Sequence, residues 1–194
     1  RLVRLSNQAE FHDIVLSPRG GGTGTNGQSL TAGLVVDLSK YMNRILEVNV
    51  KEGWARVEAG VVKDQLNKAI KSHGLFFAPE LSTSNRATIG GMINTDASGQ
   101  GSVLYGKTRD HVIALKTVLL DGHLLESFPI DDDTLASIQS GEDYSAHVHR
   151  VVDGIQKSKA QQIKDTFPAL NRCLTGYDLA HIRTADGRFN MNSV

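Results

Sequence analysis

Residues 18–27 of the chain have the sequence Pro-Arg-Gly-Gly-Gly-Thr-Gly-Thr-Asn-Gly, and residues 88–91 have the sequence Thr-Ile-Gly-Gly. The chain has 194 residues, of which 19 are glycine, about a tenth where roughly 7% is usual. Six of these glycines fall between Gly20 and Gly33, and five fall between Gly90 and Gly106. Glycine is required where the backbone adopts positive φ or approaches another group closely. The two clusters therefore predict two loops shaped around a ligand.

The composition excludes several classes of protein. Hydrophobic residues make up 40% and charged residues 22%, which is typical of a packed globular protein rather than a disordered one. The 21 Lys and Arg residues balance 21 Asp and Glu residues, and this balance disfavours a strongly basic nucleic-acid-binding protein. A single cysteine, Cys173, cannot form an internal disulfide, so we expect a reducing, cytoplasmic environment. No apolar run approaches the roughly 18 residues of a membrane span.

The hydrophobic pattern predicts a mixture of strands and helices. Strands are expected over residues 14–17, 34–38, 45–50, 54–59, 111–120 and 123–126. Helices are expected over residues 62–70, 134–139 and 145–159, with Gly74 stopping the first. Turn residues at 51–53 and 121–122 predict that neighbouring strands meet through hairpins. The predicted fold class is therefore α+β rather than a doubly wound parallel sheet.

The segment from Gly22 to Gly27 matches the dinucleotide motif G-x-G-x-x-G. That motif requires a helix that begins at the loop and holds a pyrophosphate at its N-terminus. Here the loop continues through Gly33 into the strand predicted over residues 34–38, so a Rossmann NAD site is disfavoured. Free backbone N–H groups of such a loop can nevertheless form a concave anion site for phosphates.

The segment from Gly101 to Thr108 matches the nucleotide-triphosphatase motif G-x-x-x-x-G-K-[ST]. The motif should follow a hydrophobic strand and begin a helix at Lys107, but a polar stretch precedes it and a predicted strand follows it. The bulky residues 103–105 would also crowd a phosphate loop. A P-loop ATPase or GTPase is therefore the less favoured interpretation.

The seven histidines give little support for a metal site. His147 and His149 lie two residues apart on a predicted helix and so point to different faces. No His-x-x-x-His or Glu-x-x-His pair accompanies them, so we expect solvated histidines and no metal ligands. Cys173 has no catalytic histidine signature nearby, and we expect it to be a small buried residue.

The order and spacing of the motifs resemble one known family. The loop over residues 18–24 is followed by Thr88-Ile89-Gly90-Gly91, Asn94, Ala97-Ser98-Gly99 and Tyr105-Gly106-Lys107-Thr108-x-Asp110-x-Val112. Over about residues 14–126 this series resembles the FAD-binding domain of the vanillyl-alcohol oxidase and p-cresol methylhydroxylase (PCMH) family. Its closest members are FAD-linked D-2-hydroxyacid dehydrogenases. Residues 171–179 resemble the Arg-x-x-x-Gly-Tyr-x-Leu stretch found further on in these proteins.

The resemblance implies a PCMH-type α+β fold with two small α/β subdomains and mixed or antiparallel sheets, truncated at both ends. It implies a FAD-binding core over residues 1–130 with a subdomain boundary near residue 75. A helical insert would occupy residues 131–170, and an incomplete return segment would occupy residues 171–194. The insert is most similar to the long members that carry an iron–sulfur domain. Since Arg1 stands first and later family segments are missing, we expect a piece of a longer protein.

The resemblance also implies the residues that bind FAD. The first loop would wrap the pyrophosphate with its backbone amides, and residues 79–99 would pass close to the flavin and the ribityl chain. The implied residues are Pro18, Arg19, Gly20, Gly21, Gly22, Thr23, Gly24, Thr25, Asn26, Gly27, Pro79, Glu80, Ser82, Thr83, Thr88, Ile89, Gly90, Gly91, Asn94, Ala97, Ser98, Gly99, Tyr105 and Gly106. Relatives with covalent FAD often have histidine at the position of Thr23, so we expect noncovalent FAD. Met92 stands where relatives often have asparagine.

The resemblance therefore implies the FAD-binding portion of an oxidoreductase that converts a D-2-hydroxy acid to a 2-oxo acid. D-lactate, glycolate and D-2-hydroxyglutarate are the substrates it implies, with a further electron acceptor that could bring the protein to a membrane surface. No catalytic residue is assigned, because the substrate domain lies outside the chain, which alone is expected to be inactive. Another flavoenzyme of the same fold is the first alternative: an alcohol or sugar oxidase, or a UDP-N-acetylenolpyruvoylglucosamine reductase. A P-loop nucleotide-binding module is the second.

Overall fold

The computed structural model describes residues 1–170 and 177–194. Within these residues the helices are α1 (Leu2–Ser6), α2 (Lys63–Ile70), α3 (Ile89–Asn94), α4 (Ser102–Tyr105), α5 (Asp132–Gln139), α6 (Tyr144–Ser158) and α7 (Ala160–Thr166). The strands are β1 (Leu16–Arg19), β2 (Leu34–Asp37), β3 (Ile45–Asn49), β4 (Trp54–Val57), β5 (Leu115–Val118) and β6 (Leu124–Ser127). Short 3-10 turns lie at Lys71–His73, Thr108–His111, Leu179–His181 and Met191–Ser193.

The strands form three two-stranded sheets, which agrees with the predicted α+β class. β3–β4 and β5–β6 are antiparallel hairpins, as predicted. β1 and β2 are parallel, which agrees with the mixed sheets that the resemblance implies; the turn residues that predict hairpins do not lie between these two strands. A parallel pair needs a crossover of about a dozen residues, and the loop over residues 20–33 provides it without a helix.

The predicted strand over residues 111–120 is longer than the observed one. Only Leu115–Val118 forms β5, and Thr108–His111 forms a 3-10 turn before it. His111 Nε2 lies 2.8 Å from the Tyr105 carbonyl oxygen, and the His111 ring contacts the edge of Phe77 at 5.7 Å between centroids. These contacts hold His111 in the turn, although its sequence neighbours favour a strand.

Contacts between residues divide the chain into two compact units. The unit formed by residues 8–111 has its core between the hairpin β3–β4 and the helices α2 and α3. Val61, Leu66, Ile89 and Met92 are buried there, and Ala55 and Val57 of β4 pack against them. Gly74, with φ of 70°, follows the 3-10 turn that extends α2, as the sequence predicted.

The second unit, residues 1–7 and 112–194, packs the last described segment onto the helices α5 and α6. Phe189 and Ile182 are fully buried in one core with Leu125 and Leu135. The Ile130 N–H donates to the Phe189 carbonyl at 2.9 Å, and the Phe189 N–H donates back at 2.8 Å. α5 and α6 confirm the two helices predicted here. The division into a core, a helical insert and a return segment stays a prediction.

Two predictions for this unit concern the histidines of α6 and Cys173. His147 is exposed, but His149 is only 4% exposed, so the expectation of solvated histidines is wrong for His149. It lies on the inward face of α6, where Nδ1 is 2.8 Å from the Ser145 carbonyl oxygen and the ring lies 6.0 Å from Phe189. Cys173 and most of the stretch that resembles Arg-x-x-x-Gly-Tyr-x-Leu lie outside the described residues.

The packing of Phe189 generates a stability prediction. Phe189→Ala should destabilise the second unit by about 3–5 kcal/mol, because it leaves a cavity between α5, α6 and β6. Val151→Ala, at a position that is 44% exposed on the outer side of α6, should change stability by less than about 0.5 kcal/mol. Chemical denaturation of both variants checks this. Equal, small effects would show that residues 177–194 do not belong to this core.

Candidate functional site

The site begins where the parallel pair β1–β2 ends. Arg19 and Asp37 are register partners at the carboxyl ends of the two strands, and a loop leaves the sheet after each of them. In α/β structures, ligands bind preferentially at the carboxyl ends of parallel strands, because the loops that leave there can open around a ligand. The first glycine cluster occupies one of these loops.

The loop after β1 presents an unbroken row of free donors. Among the described residues, the backbone N–H groups of residues 20–25 donate no hydrogen bond to any protein acceptor. The loop is folded by contacts further along: the Leu30 N–H donates to the Gly27 carbonyl at 2.9 Å, and the Asn26 N–H donates to Gln28 Oε1 at 3.1 Å. Successive free amides of this kind form an anion-binding concavity.

The first and second glycine segments meet at this loop. A Cβ on Gly20 would lie 2.1 Å from Thr88 Oγ1, and a Cβ on Gly21 would lie 2.0 Å from the Arg86 carbonyl oxygen. Only glycine allows these backbones to approach so closely. Gly90 has a similar reason, since its Cβ would lie 2.7 Å from the Ala59 Cβ. Contacts within the protein therefore already require glycine at all three positions, whether or not a flavin lies nearby.

A cavity of about 450 Å³, which we call the glycine pocket, opens beside the loop. Its lining residues are Arg19, Gly20, Gly21, Val35, Asp37, Ser39, Val62, Asn85 and Arg86. Within the described part of the chain, neither the Arg19 nor the Arg86 side chain forms a salt bridge or a hydrogen bond. The pocket therefore combines free amides with two guanidinium groups that have no carboxylate bound to them, a donor set suited to a phosphate or pyrophosphate.

Asp37 provides the one carboxylate of the glycine pocket. Hydrogen bonds from the Ser39 hydroxyl and the Ser39 N–H, together with the nearby Arg19, hold the pKa of Asp37 below its ordinary value. Asp37 is therefore ionised at neutral pH. As an ionised carboxylate in the pocket lining, it is suited to accept hydrogen bonds from hydroxyl groups of a ligand rather than to contact a phosphate.

The structure brings only some of the implied FAD-binding residues together at the glycine pocket. Of the 24, only Arg19, Gly20 and Gly21 line the glycine pocket. The remaining loop residues, 22–27, continue the free row of amides or lie next to it. Thr88 is buried, caps α3 by accepting the Gly91 N–H at 3.4 Å, and contacts Gly20.

The other implied residues lie along the segment from Pro79 to Gly106 and are not among the residues that line the pocket. Pro79 is fully buried, whereas Glu80 is exposed and pairs with buried Lys63 at 3.6 Å. The Asn94 side chain donates to the Gly90 carbonyl at 2.9 Å, within its own helix. Their assignment to the flavin and the ribityl chain stays a prediction, as does that of Ser82, Thr83, Ile89, Ala97, Ser98 and Gly99.

The segment from Gly101 to Thr108 does not form a phosphate loop. Lys107, the lysine of the G-x-x-x-x-G-K-T motif, is only 3% exposed, and its Nζ lies 2.5 Å from Asp96 Oδ2. The exposed side chains of the motif are apolar, with Val103 94% exposed. The Tyr105 ring instead packs edge-on against Phe76 at 5.6 Å between centroids. These contacts agree with the sequence argument against a P-loop.

The sequence did not predict six of the nine residues that line the glycine pocket, among them Asp37, Asn85 and Arg86. Asp37 carried a usable signal, because it lies near the end of the strand predicted over residues 34–38, just as Arg19 follows the strand predicted over residues 14–17. Arg86 carried none, since the reversal of the chain at residues 83–87, where the Thr83 carbonyl accepts both the Arg86 and the Ala87 N–H, aims its side chain at the pocket.

Two further properties concern the described residues as a whole. They contain no group of three or more His, Cys, Asp or Glu side chains arranged to hold a metal ion. None of the helices in residues 1–170 and 177–194 combines the length and apolar character that a membrane crossing needs.

The comparison with known families agrees with this geometry. The model of a family described as "FAD binding domain" matches residues 1–127, which include β1, β2, the glycine pocket and both glycine segments. The chain belongs to the FAD-binding domain family. The resemblance noted from the motifs is confirmed, and the cofactor of this domain is FAD.

Individual relatives extend the comparison. A D-2-hydroxyglutarate dehydrogenase of Pseudomonas putida is 63% identical over 194 residues, covering 100% of this chain and 19% of that protein. The glycolate oxidase subunit GlcD of Bacillus subtilis is 39% identical over 127 residues, 65% of this chain and 27% of that protein. A crystal structure of alkyldihydroxyacetonephosphate synthase matches with a TM-score of 0.56 and 28% identity, covering 65% of this chain and 25% of that one. The chain thus spans about a quarter or less of these relatives.

The lining of the glycine pocket predicts how the protein binds ADP, the part of FAD that contains the adenosine and the two phosphates. Arg86→Gln should weaken ADP binding about tenfold, because it removes one charge-assisted hydrogen bond to the diphosphate. Arg56→Gln is the matched control, since Arg56 is an exposed arginine on β4 outside the pocket. Isothermal titration calorimetry with ADP measures both. Unchanged affinity in Arg86→Gln would remove Arg86 from the site.

Proposed function

We propose that this chain is the FAD-binding portion of a flavin-dependent dehydrogenase that oxidises D-2-hydroxyglutarate to the corresponding 2-oxo acid. The observation that carries the proposal is the row of free backbone N–H groups over residues 20–25, flanked by Arg19 and Arg86. This arrangement suits a pyrophosphate at the carboxyl ends of two parallel strands.

The charges of the glycine pocket fit the pyrophosphate of FAD. A pyrophosphate diester carries two negative charges, which the two guanidinium groups attract; with the ionised Asp37 the pocket lining has a net charge of +1. The free amides donate to the phosphate oxygens in a concave loop, which costs little reorganisation because the loop is held by Gly20 and Gly21 against residues 86–88. Asp37 and Ser39, which also line the pocket, suit the hydroxyl groups of a ribose.

We assign the FAD-binding residues accordingly. Residues 18–27 bind the pyrophosphate, joined by Asn85 and Arg86, which the sequence did not single out. Pro79, Glu80, Ser82, Thr83, the helix α3 and residues 97–99 lie along the flavin and ribityl chain, as the resemblance implies. Thr23 stands where relatives with covalent FAD often have histidine, so the cofactor is bound noncovalently.

The choice of substrate rests on the extent of similarity. The relative named D-2-hydroxyglutarate dehydrogenase matches all 194 residues, including residues 128–194, which the family model does not cover. The relative named for glycolate matches only 127 residues. The helices α5–α7 therefore associate this chain with the long proteins of the first name; a protein of the same name from Stutzerimonas stutzeri matches only 119 residues. D-2-hydroxyglutarate is the substrate that we propose.

The reaction divides between the cofactor and the protein. Oxidation removes a hydride from C2 and a proton from the 2-hydroxyl group, which leaves a 2-oxo acid. When bound, FAD supplies the redox chemistry by accepting the hydride. The residues of this chain bind and orient the cofactor through its pyrophosphate. The electrons then pass to a further carrier, and the resemblance to the long family members implies an iron–sulfur cluster elsewhere in the same protein.

The experiment uses the protein expressed from its complete reading frame. We expect a yellow protein whose flavin is released into solution on denaturation, as noncovalent FAD requires. Under anaerobic conditions D-2-hydroxyglutarate should bleach the flavin absorption, and L-2-hydroxyglutarate, D-lactate and glycolate should do so at least about tenfold more slowly, since the enzyme must discriminate through contacts to the distal carboxylate.

Three results would contradict parts of this proposal. A colourless protein that binds ATP and no FAD would contradict the FAD site and support the P-loop alternative. Faster bleaching by D-lactate or glycolate would replace the substrate while leaving the cofactor in place. A yellow protein that no 2-hydroxy acid reduces would support a different flavoenzyme of the same fold.

A further inference from the structure

Asp96 holds an unusual backbone conformation at the start of the segment Ala97–Ser98–Gly99. Its φ is +41°, in the left-handed region that side-chain-bearing residues rarely adopt. Its carboxylate is fixed from two sides: the Arg109 N–H donates to Oδ1 at 3.0 Å, and Lys107 Nζ lies 2.5 Å from Oδ2. The turn that redirects the chain into residues 97–99 is thus held by the side chain of Asp96.

Lys107 pairs with Asp96 in the interior of the unit. Its side chain is only 4% exposed, and that of Asp96 is 23% exposed. A buried ion pair adds little net stability compared with apolar residues of the same volume. Removal of Asp96 leaves the buried Lys107 charge without this partner, whereas removal of Lys107 leaves Asp96 its contact with Arg109, whose Nε lies 3.8 Å from Oδ2. The ion pair therefore favours one position of the segment that contains Asp96 relative to the segment that contains Lys107.

Hydrogen bonds next to the ion pair also join residues 97–99 to residues 107–108. Thr108 donates from both its N–H and its hydroxyl group to the Ala97 carbonyl, at 3.1 and 2.6 Å. The Lys107 N–H donates to Asp110 Oδ2 at 2.7 Å, which fixes the turn that carries Lys107. On the other side, a Cβ on Gly99 would lie 1.8 Å from the Glu80 carbonyl oxygen. Residues 97–99 are therefore held between residues 107–108 and Glu80.

We propose that the buried Asp96–Lys107 ion pair is a positioning device that sets residues 97–99 at the flavin end of the FAD site. The inference rests on the proposed function, because it is the proposed site that places residues 97–99 beside the flavin. It also accounts for Lys107, which the nucleotide-triphosphatase motif would have assigned to a phosphate. Asp96 and Lys107 act through the segment that they hold and do not touch the cofactor.

FAD and ADP distinguish positioning from general stability. ADP contains the pyrophosphate but no flavin, so it reports on the glycine pocket alone. In the protein expressed from its complete reading frame, Lys107→Met should weaken FAD binding about tenfold or more and alter the visible spectrum of the bound flavin, while ADP affinity stays within about twofold. Lys116→Met, which removes an exposed ion pair with Glu126, is the control and should leave both affinities unchanged.

A second pair of variants isolates the backbone turn. In Asp96→Ala/Lys107→Met and Asp96→Gly/Lys107→Met, both charges are removed and no buried charge is left. Glycine adopts positive φ readily and alanine does not, so the glycine variant should bind FAD about tenfold more tightly than the alanine variant, the factor that about 1.4 kcal/mol of backbone strain gives. Rescue by glycine shows that the ion pair acts by holding the turn.

The possible results are decisive in both directions. Wild-type FAD affinity in Lys107→Met, a parallel loss of ADP binding, or equal FAD affinity in the glycine and alanine variants would each overturn the positioning role. These results leave the proposed function intact as long as the wild-type protein binds FAD. A wild-type protein that binds neither FAD nor ADP would overturn the proposed function and this inference with it.

Discussion

The structure of the site depends on one close approach between two backbones. Gly20 and Gly21 lie so near Thr88 and Arg86 that a single Cβ on either glycine would overlap with them. This contact joins the loop after β1 to the segment that leads into α3. It holds the loop in an open curve with its N–H groups unpaired, and it places Arg86 beside those groups. The glycine pocket exists because no side chain separates the two segments.

The sequence predicted much of this arrangement. The glycine clusters, the strands around them and the absence of a predicted helix after Gly27 were sufficient to disfavour a Rossmann site and to indicate a loop that can bind phosphate. The hairpins β3–β4 and β5–β6 followed from short turns with glycine, and α5 and α6 followed from apolar residues at helical spacing. Each of these features depends on residues that are close together in the sequence, so the sequence pattern alone predicts it.

Features that depend on tertiary contacts were not predictable in this way. Nothing in residues 14–38 distinguishes a parallel pair from a hairpin, because the loop length permits both, and the choice is made by packing of the loop against residues 86–88. Arg86 has no motif of its own. Lys107 belongs to a phosphate-binding motif by its letters, yet Asp96, eleven residues earlier, buries and neutralises it. Sequence spacing alone cannot show which partner a charged side chain meets.

The central claim is that the free amides of residues 20–25 and the two arginines beside them hold the pyrophosphate of FAD. A crystal structure of the complete protein with bound FAD tests it most directly. The account predicts phosphate oxygens about 3 Å from several of these backbone nitrogens, with the Arg86 guanidinium at hydrogen-bond distance. A dinucleotide bound elsewhere, with the loop facing solvent and Arg86 not in contact with a phosphate, would contradict it.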